Sequence, residues 1–208
     1  MRFSAVLSIV VLGAVLAGPL WAQGCFPAQG RQLAEEELFM VLGGETYVDV
    51  DADRTIAVVT AIPRDKYGMD YGRACTYTVQ VHNRVTTRDQ TGDGDFYTAA
   101  SFPKGTANMS VRSIADAARQ ERYGSSSGEW IATDASRVVT AYPAGANGKA
   151  DKSQPYTRQD YGYFWHANNA VPFKESVSAG CLISPKKDLD RVISTMKGDS
   201  GNKRISMR

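Results

Sequence analysis

The chain has 208 residues, with 24 Lys and Arg against 22 Asp and Glu, a formal net charge of +2 and 43% hydrophobic residues. That length suits one domain with a real core rather than two. The near balance of charge excludes nucleic-acid binding through a concentrated basic face.

Residues 1–22 read as a secretory signal lying outside the fold. Met1-Arg2 is a short positive start, Val6 to Leu20 is an apolar run interrupted by Gly13, Gly18 and Pro19, and Ala22 offers a small residue for cleavage. The run is too short and too soon broken for a stable membrane span, so an uncleaved anchor is the competing reading. Cleavage leaves one domain, residues 23–208, close to neutral and periplasmic or secreted.

Three cysteines remain: Cys25, Cys75 and Cys181. Outside the cytosol thiols tend to pair, and an odd number leaves one unpaired, lipidated or joined to another chain. One arrangement pairs Cys25 with Cys75 and leaves Cys181 as a thiol. In the other, Ala22-Gln23-Gly24-Cys25 is a permissive lipobox, and lipidated Cys25 attaches the protein to a membrane.

In chain order, Arg31 to Leu42 reads as a helix, with Leu33, Leu38 and Leu42 on one side and Gly43-Gly44 as its stop. Strands follow at Thr46 to Val50, Thr55 to Ile62, Cys75 to Val81 and Phe96 to Phe102, with a turn at Gly92 to Asp95. Ser110 to Arg122 reads as a helix whose apolar side is Ile114, Ala117 and Ala118. Glu129 to Thr133 and Arg137 to Tyr142 read as a hairpin across Asp134-Ala135. Pro143 to Pro155 is a surface loop, and Tyr161 to His166 an aromatic strand. Pro185 opens a last helix, Lys186 to Met196, and Lys197 to Arg208 reads as a solvated basic end. The fold class is mainly β with a few helices.

No metal or cofactor is implied. Asp49, Asp51 and Asp53 alternate, but Arg54 and Thr60 stand where a calcium loop needs Gly and Glu. His and Cys are too few and scattered for a zinc site. His82, at a strand end, reads as structural.

The chemistry concentrates in the last third. His166 closes Tyr163-Phe164-Trp165-His166, and Ser178-Ala179-Gly180-Cys181 follows twelve residues on. A cysteine attacks as thiolate, and its ordinary pKa of about 8.5 leaves little thiolate at neutral pH. A nearby imidazole or helix N-terminus lowers that barrier. Here His166 is the base and Cys181 the nucleophile, with the following helix a further source of stabilisation. Gly180 lets the backbone approach a substrate, and the amides of Gly180 and Cys181 can hold an oxyanion. Ser178 and a backbone carbonyl are the alternatives for orienting the imidazole. The histidine precedes the cysteine, which fits papain-like and NlpC-type peptidases poorly.

These two segments, with Leu182 after the cysteine, resemble the catalytic signature of the L,D-transpeptidase (YkuD-like) superfamily: a strand histidine, then a Ser/Thr-x-Gly-Cys turn and an apolar residue. Phe102-Pro103-Lys104-Gly105-Thr106 resembles the family's Pro-x-Gly segment. Ala179 replaces the family's usual His or Arg, Ile183 stands where Asn is frequent, and the gap from His166 to Ser178 is short. Those departures resemble divergent branches, one of which includes peptidoglycan-targeting toxins delivered by type VI secretion. The resemblance implies a β-sandwich-like catalytic domain and a thiolate enzyme acting on peptidoglycan tetrapeptide stems. Cys181 would be the acylated nucleophile, His166 the base and Gly180 part of the oxyanion turn. Two other classes compete. One is an exported binding or structural domain whose Cys181 is inert or bridged, for instance to Cys75. The other is a sortase-like enzyme using His82 and Arg191.

Overall fold

The structure, a computed structural model, describes residues 44–62, 74–86, 94–98, 101–168, 173, 176–199 and 201–208. The expected signal segment, Cys25 and the helix expected at Arg31 to Leu42 lie outside the described residues.

The described strands are β1 (Glu45–Val50), β2 (Ile56–Ile62), β3 (Cys75–Gln80), β4 (Phe96–Tyr97), β5 (Gly105–Ser113), β6 (Glu129–Thr133), β7 (Arg137–Tyr142), β8 (Tyr156–Asp160), β9 (Phe164–Ala167), β10 (Leu182–Ser184) and β11 (Lys203–Met207). The helices are α1 (Ala117–Tyr123) and α2 (Lys186–Gly198). The fold is mainly β, as the sequence implies. Eight strands form one sheet in the order β10-β9-β6-β5-β11-β1-β2-β3, and β4-β7-β8 form a second.

Strand alternation decides which side of the large sheet is the core. Tyr77, Val59, Val48, Ile205 and Ala107 are register partners in succession and all are buried. Val111, Ile131, Trp165 and Leu182 continue the same side across β5, β6, β9 and β10. Onto this side α2 lays Leu189, Val192, Ile193 and Met196, all within the same apolar cluster. Its spacing places these residues on one stripe, and burying each contributes about 1.5–3 kcal/mol. The Tyr77 hydroxyl, 2.7 Å from Thr195 Oγ1, fixes α2 against β3. α1 has no buried residue. Its N-terminus is held by Asp116, whose side chain accepts from the Arg119 amide at 2.8 Å, a cap contributing about 1 kcal/mol.

The two ends of the large sheet meet. His82, two residues past β3, bridges Ile183 of β10 through a reciprocal pair of backbone hydrogen bonds, each 2.9 Å. Ser184 Oγ accepts from Trp165 Nε1 at 2.7 Å and donates to the Gln80 carbonyl at 2.6 Å. One hydroxyl therefore ties β9, β10 and the end of β3. The seam pairs strand edges that would otherwise be open.

Several sequence expectations are corrected. Ser110 to Ser113 is the end of β5 rather than helix, and Ala117 and Ala118 are exposed. Pairing of Met109–Ser113 with β6 makes this part strand, and the expected helix is confined to Ala117–Tyr123. β6 and β7 both exist but do not form a hairpin: β6 pairs with β5 and β9, and β7 with β4 and β8. Asp134 anchors the crossing, because its carboxylate accepts from both the backbone and the side-chain amide of Asn108, each at 2.6 Å. Of the strand expected at Phe96 to Phe102, Phe96–Tyr97 forms β4. β8 precedes an aromatic strand that begins at Phe164 rather than Tyr161. The basic end is not solvated: β11 lies inside the sheet between β1 and β5, with Ile205 and Met207 buried. Gly201, in the turn leading to it, lies so close to Gly44 that an added Cβ would fall 1.9 Å from the Gly44 carbonyl oxygen.

Replacing Ser184 by Ala leaves the buried Trp165 Nε1–H without its acceptor. The Ser184→Ala protein should lose about 1–3 kcal/mol of stability, measured by chemical denaturation. An unchanged midpoint would show that the seam does not depend on this hydroxyl.

Candidate active site

The register of β9 and β10 fixes the relation of His166 to Cys181. Trp165 pairs with Leu182 and His166 with Ile183, in parallel. Trp165 and Leu182 face the core, so His166 and Ile183 take the opposite side. Cys181 immediately precedes β10, two residues before the Ile183 that pairs with His166.

His166 is 7% exposed, although it faces away from the main core. The Tyr123 ring of α1 meets it edge-on, with centroids 5.1 Å apart. Its Nδ1 lies 2.7 Å from the Ala167 carbonyl. A carbonyl only accepts, so Nδ1 carries the proton and Nε2 presents a lone pair. Burial pushes the pKa of His166 down; the Ala167 hydrogen bond raises it and the influence of His82 lowers it further. The imidazole is therefore neutral at pH 7 and competent to accept a proton.

Cys181 is a half-buried thiol, whereas Cys75 is disulfide-bonded; a Cys75–Cys181 bridge is therefore absent. The turn before Cys181 is held from several directions. Gly180 has φ +127°, a backbone shape that favours glycine. Ser178 Oγ donates to the Cys181 carbonyl at 2.8 Å and accepts from the Gly180 amide at 3.2 Å. Ser178 thus clamps the turn, while the Ala167 carbonyl meets the imidazole. The Gly180 amide, expected to face an oxyanion, is turned toward Ser178. The Ser178 amide donates to the Arg84 carbonyl, and the Thr86 amide to the Ser178 carbonyl, both at 2.8 Å. The last helix does not begin at the thiol: β10 intervenes, about 10 Å of strand, so the α2 dipole acts elsewhere.

Asn83 was not singled out by the sequence. Its Nδ2 donates to the Gly180 carbonyl at 2.7 Å and the Cys181 carbonyl at 2.9 Å. Its Oδ1 accepts from Arg54 at 2.7 Å and from the Phe102 amide at 3.3 Å. One amide thereby joins the nucleophile turn to the β1–β2 turn and to the segment before β5. Sequence carries no signal for a contact spanning 97 residues.

His82, read as structural, shares the row of Ile183 and His166. Its Nε2 lies 3.1 Å from the Phe173 carbonyl, and its Nδ1 accepts from the Arg84 amide at 3.3 Å. Both ring nitrogens are engaged. Arg191 stacks on Tyr77, 3.7 Å from the ring centroid, at the interface of α2 and β3.

The aromatic run divides by alternation. Tyr163 and Trp165 are core residues, and Tyr156 and Tyr161 are exposed. Phe164 takes the His166 side and stacks on Trp130, with centroids 4.5 Å apart. This half-buried pair makes a flat apolar platform beside the imidazole.

The sequence matches no family model and no curated protein. Among solved structures, the helical cell shape determining protein Pgp2 from Campylobacter jejuni aligns with 82% of this chain at a TM-score of 0.43 and 13% identity. The chain spans about half the length of that structure, 51% of it being covered.

Burial also lowers the pKa of His82, with Arg84 adding to the effect and the Phe173 hydrogen bond opposing it. The unfolded chain therefore binds more protons than the native one below the ordinary histidine pKa of about 6.5. This contribution to stability is complete above that pH and is lost as pH falls through the lowered native values. Denaturation midpoints should drop between pH 7.5 and pH 5, and the drop should be smaller in a His166→Gln protein. Equal drops would show that His166 is not held neutral by burial.

Proposed function

We propose that the chain is an exported cysteine acyltransferase of the L,D-transpeptidase type, acting on the tetrapeptide stems of peptidoglycan. What supports this reading is the parallel register that pairs His166 with Ile183, two residues after Cys181, together with the bond from Nδ1 of the imidazole to the Ala167 carbonyl. That tautomer leaves Nε2 as the proton acceptor.

In the proposed reaction His166 Nε2 takes the Cys181 proton as Sγ attacks the carbonyl between meso-diaminopimelate and D-Ala. The C–S bond forms, the C–N bond breaks, and the imidazolium returns the proton to the departing D-Ala amine. An acceptor amine then resolves the thioester by crosslinking, or water resolves it by carboxypeptidase action. Ser178 and Asn83 hold the turn that presents the sulfur. Gly180 supplies the backbone shape, and its amide serves the oxyanion once released from Ser178. The reaction needs no cofactor.

The disulfide at Cys75 supports an oxidising compartment, hence the periplasm or the exterior. Anchoring through a lipidated Cys25 is the alternative location, and it excludes Cys25 from a disulfide.

Purified muropeptides test the reading. Wild-type protein should release D-Ala and show a thioester adduct by intact mass, and Cys181→Ala should abolish both. A Cys181→Ala protein that processes muropeptides at the wild-type rate would refute the assignment and favour an exported domain with an inert cysteine.

A further inference from the structure

The turn joining β1 to β2 carries an unfavourable backbone. Arg54 has φ +55°, and among the described residues it is the one non-glycine with a positive φ. That left-handed shape crowds a Cβ, so glycine is the residue it favours. The turn closes without the Arg54 side chain. The Asp51 carboxylate accepts from the Thr55 amide at 2.7 Å and from the Thr55 hydroxyl at 2.9 Å, and the Arg54 amide donates to the Asp51 carbonyl at 3.0 Å. An ion pair does not explain the residue either: among the described residues no carboxylate pairs with the Arg54 guanidinium. Burial, and after it the charge of Arg137, weigh against its positive charge.

The contact that Arg54 makes lies outside the turn. Its Nη1 donates to Asn83 Oδ1 at 2.7 Å, and that oxygen also accepts from the Phe102 amide at 3.3 Å. On the other side of the same amide, Nδ2 donates to the Gly180 carbonyl at 2.7 Å and to the Cys181 carbonyl at 2.9 Å. All four hydrogen-bonding positions of Asn83 are therefore in use. Its two sides cannot be exchanged, because the guanidinium and the Phe102 amide only donate and the two carbonyls only accept. Of the two bonds on Oδ1, the one from Arg54 is the shorter and is charge-assisted, so it constrains the direction of Nδ2 more strongly. A cation on Oδ1 also polarises the amide and strengthens both Nδ2 bonds.

We propose that Arg54 is a positioning residue for Cys181. Acting through Asn83, it holds the Gly180 and Cys181 carbonyls and with them the turn that carries the thiol. The left-handed backbone at Arg54 serves to aim the guanidinium at Asn83. The proposal rests on the acyl-transfer reading above and adds to it a residue remote in sequence that touches neither the sulfur nor the imidazole.

Arg54→Gly separates positioning from folding, because glycine suits the backbone while the guanidinium is lost. Its denaturation midpoint should stay close to that of the wild type, relief of the backbone offsetting the missing hydrogen bond. On purified muropeptides, kcat for D-Ala release should fall about 10- to 100-fold with KM nearly unchanged. Alkylation of Cys181 by iodoacetamide at pH 7, read by peptide mapping, should slow several-fold, because thiolate formation depends on where the turn places the sulfur. Arg54→Lys, which keeps a cation at this position, should recover part of both losses. In an Asn83→Ala background Arg54→Gly should have no further effect, as expected of a residue that acts through another. Wild-type rates in Arg54→Gly, losses that add to those of Asn83→Ala, or a collapsed midpoint that Arg54→Lys does not restore would overturn the proposal. The two readings fail separately. A wild type that releases no D-Ala, while Arg54→Gly still slows alkylation at an unchanged midpoint, refutes acyl transfer and leaves the positioning role standing. A wild type that releases D-Ala, beside an Arg54→Gly protein of equal kcat and equal alkylation rate, refutes the positioning role alone.

Discussion

The closure of the large sheet between the end of β3 and β10 is the constraint on which the site depends. β10 has three residues, too few to stay paired on β9 alone against fraying. Each backbone hydrogen bond nets only about 0.5–1.5 kcal/mol, so a short strand needs partners on both edges. The His82–Ile183 bridge supplies the second edge, and the Trp165–Ser184–Gln80 chain locks it from the core side. Cys181 sits at the start of the strand so fixed, with Asn83 from the opposite side of the seam holding its carbonyl. Loosening the seam would move the sulfur relative to His166 while leaving most of the apolar core in place.

The pair β9–β10 differs from the rest of the sheet in being covered on both sides. Trp165 and Leu182 enter the core under α2, while His166 and Ile183 are buried on the other side. α1 lies over this second side with no buried residue of its own, yet Tyr123 reaches His166. A histidine on an ordinary outer face would be solvated and would titrate near its usual value. This one is buried, and burial pushes its pKa below the ordinary histidine value.

What the sequence revealed was local. The strand carrying His166, the Ser178–Cys181 turn and the helix after Pro185 are each specified by neighbours a few residues apart. β11 was misread because Lys203, Arg204 and Arg208 dominate its composition, while its burial rests on two alternating residues, Ile205 and Met207, and on partners far away in sequence. β5 was misread because Ile114, Ala117 and Ala118 carry helical spacing that belongs to a strand end and a separate short helix. The tie between Asn83 and Cys181 spans 98 residues and leaves no periodic trace. Topology decides such contacts, and no local pattern encodes them.

The two histidines flanking Ile183 differ in how their ring nitrogens are hydrogen-bonded. Both are pushed toward neutrality by burial, and the influence of His82 lowers the pKa of His166 further. His82 gives Nε2–H to the Phe173 carbonyl and uses its Nδ1 lone pair on the Arg84 amide, so taking a proton would break the latter bond. Among the described residues, His166 hydrogen-bonds through Nδ1–H, to the Ala167 carbonyl. His82 therefore belongs to the seam, tied at both ring nitrogens and through its backbone pair with Ile183.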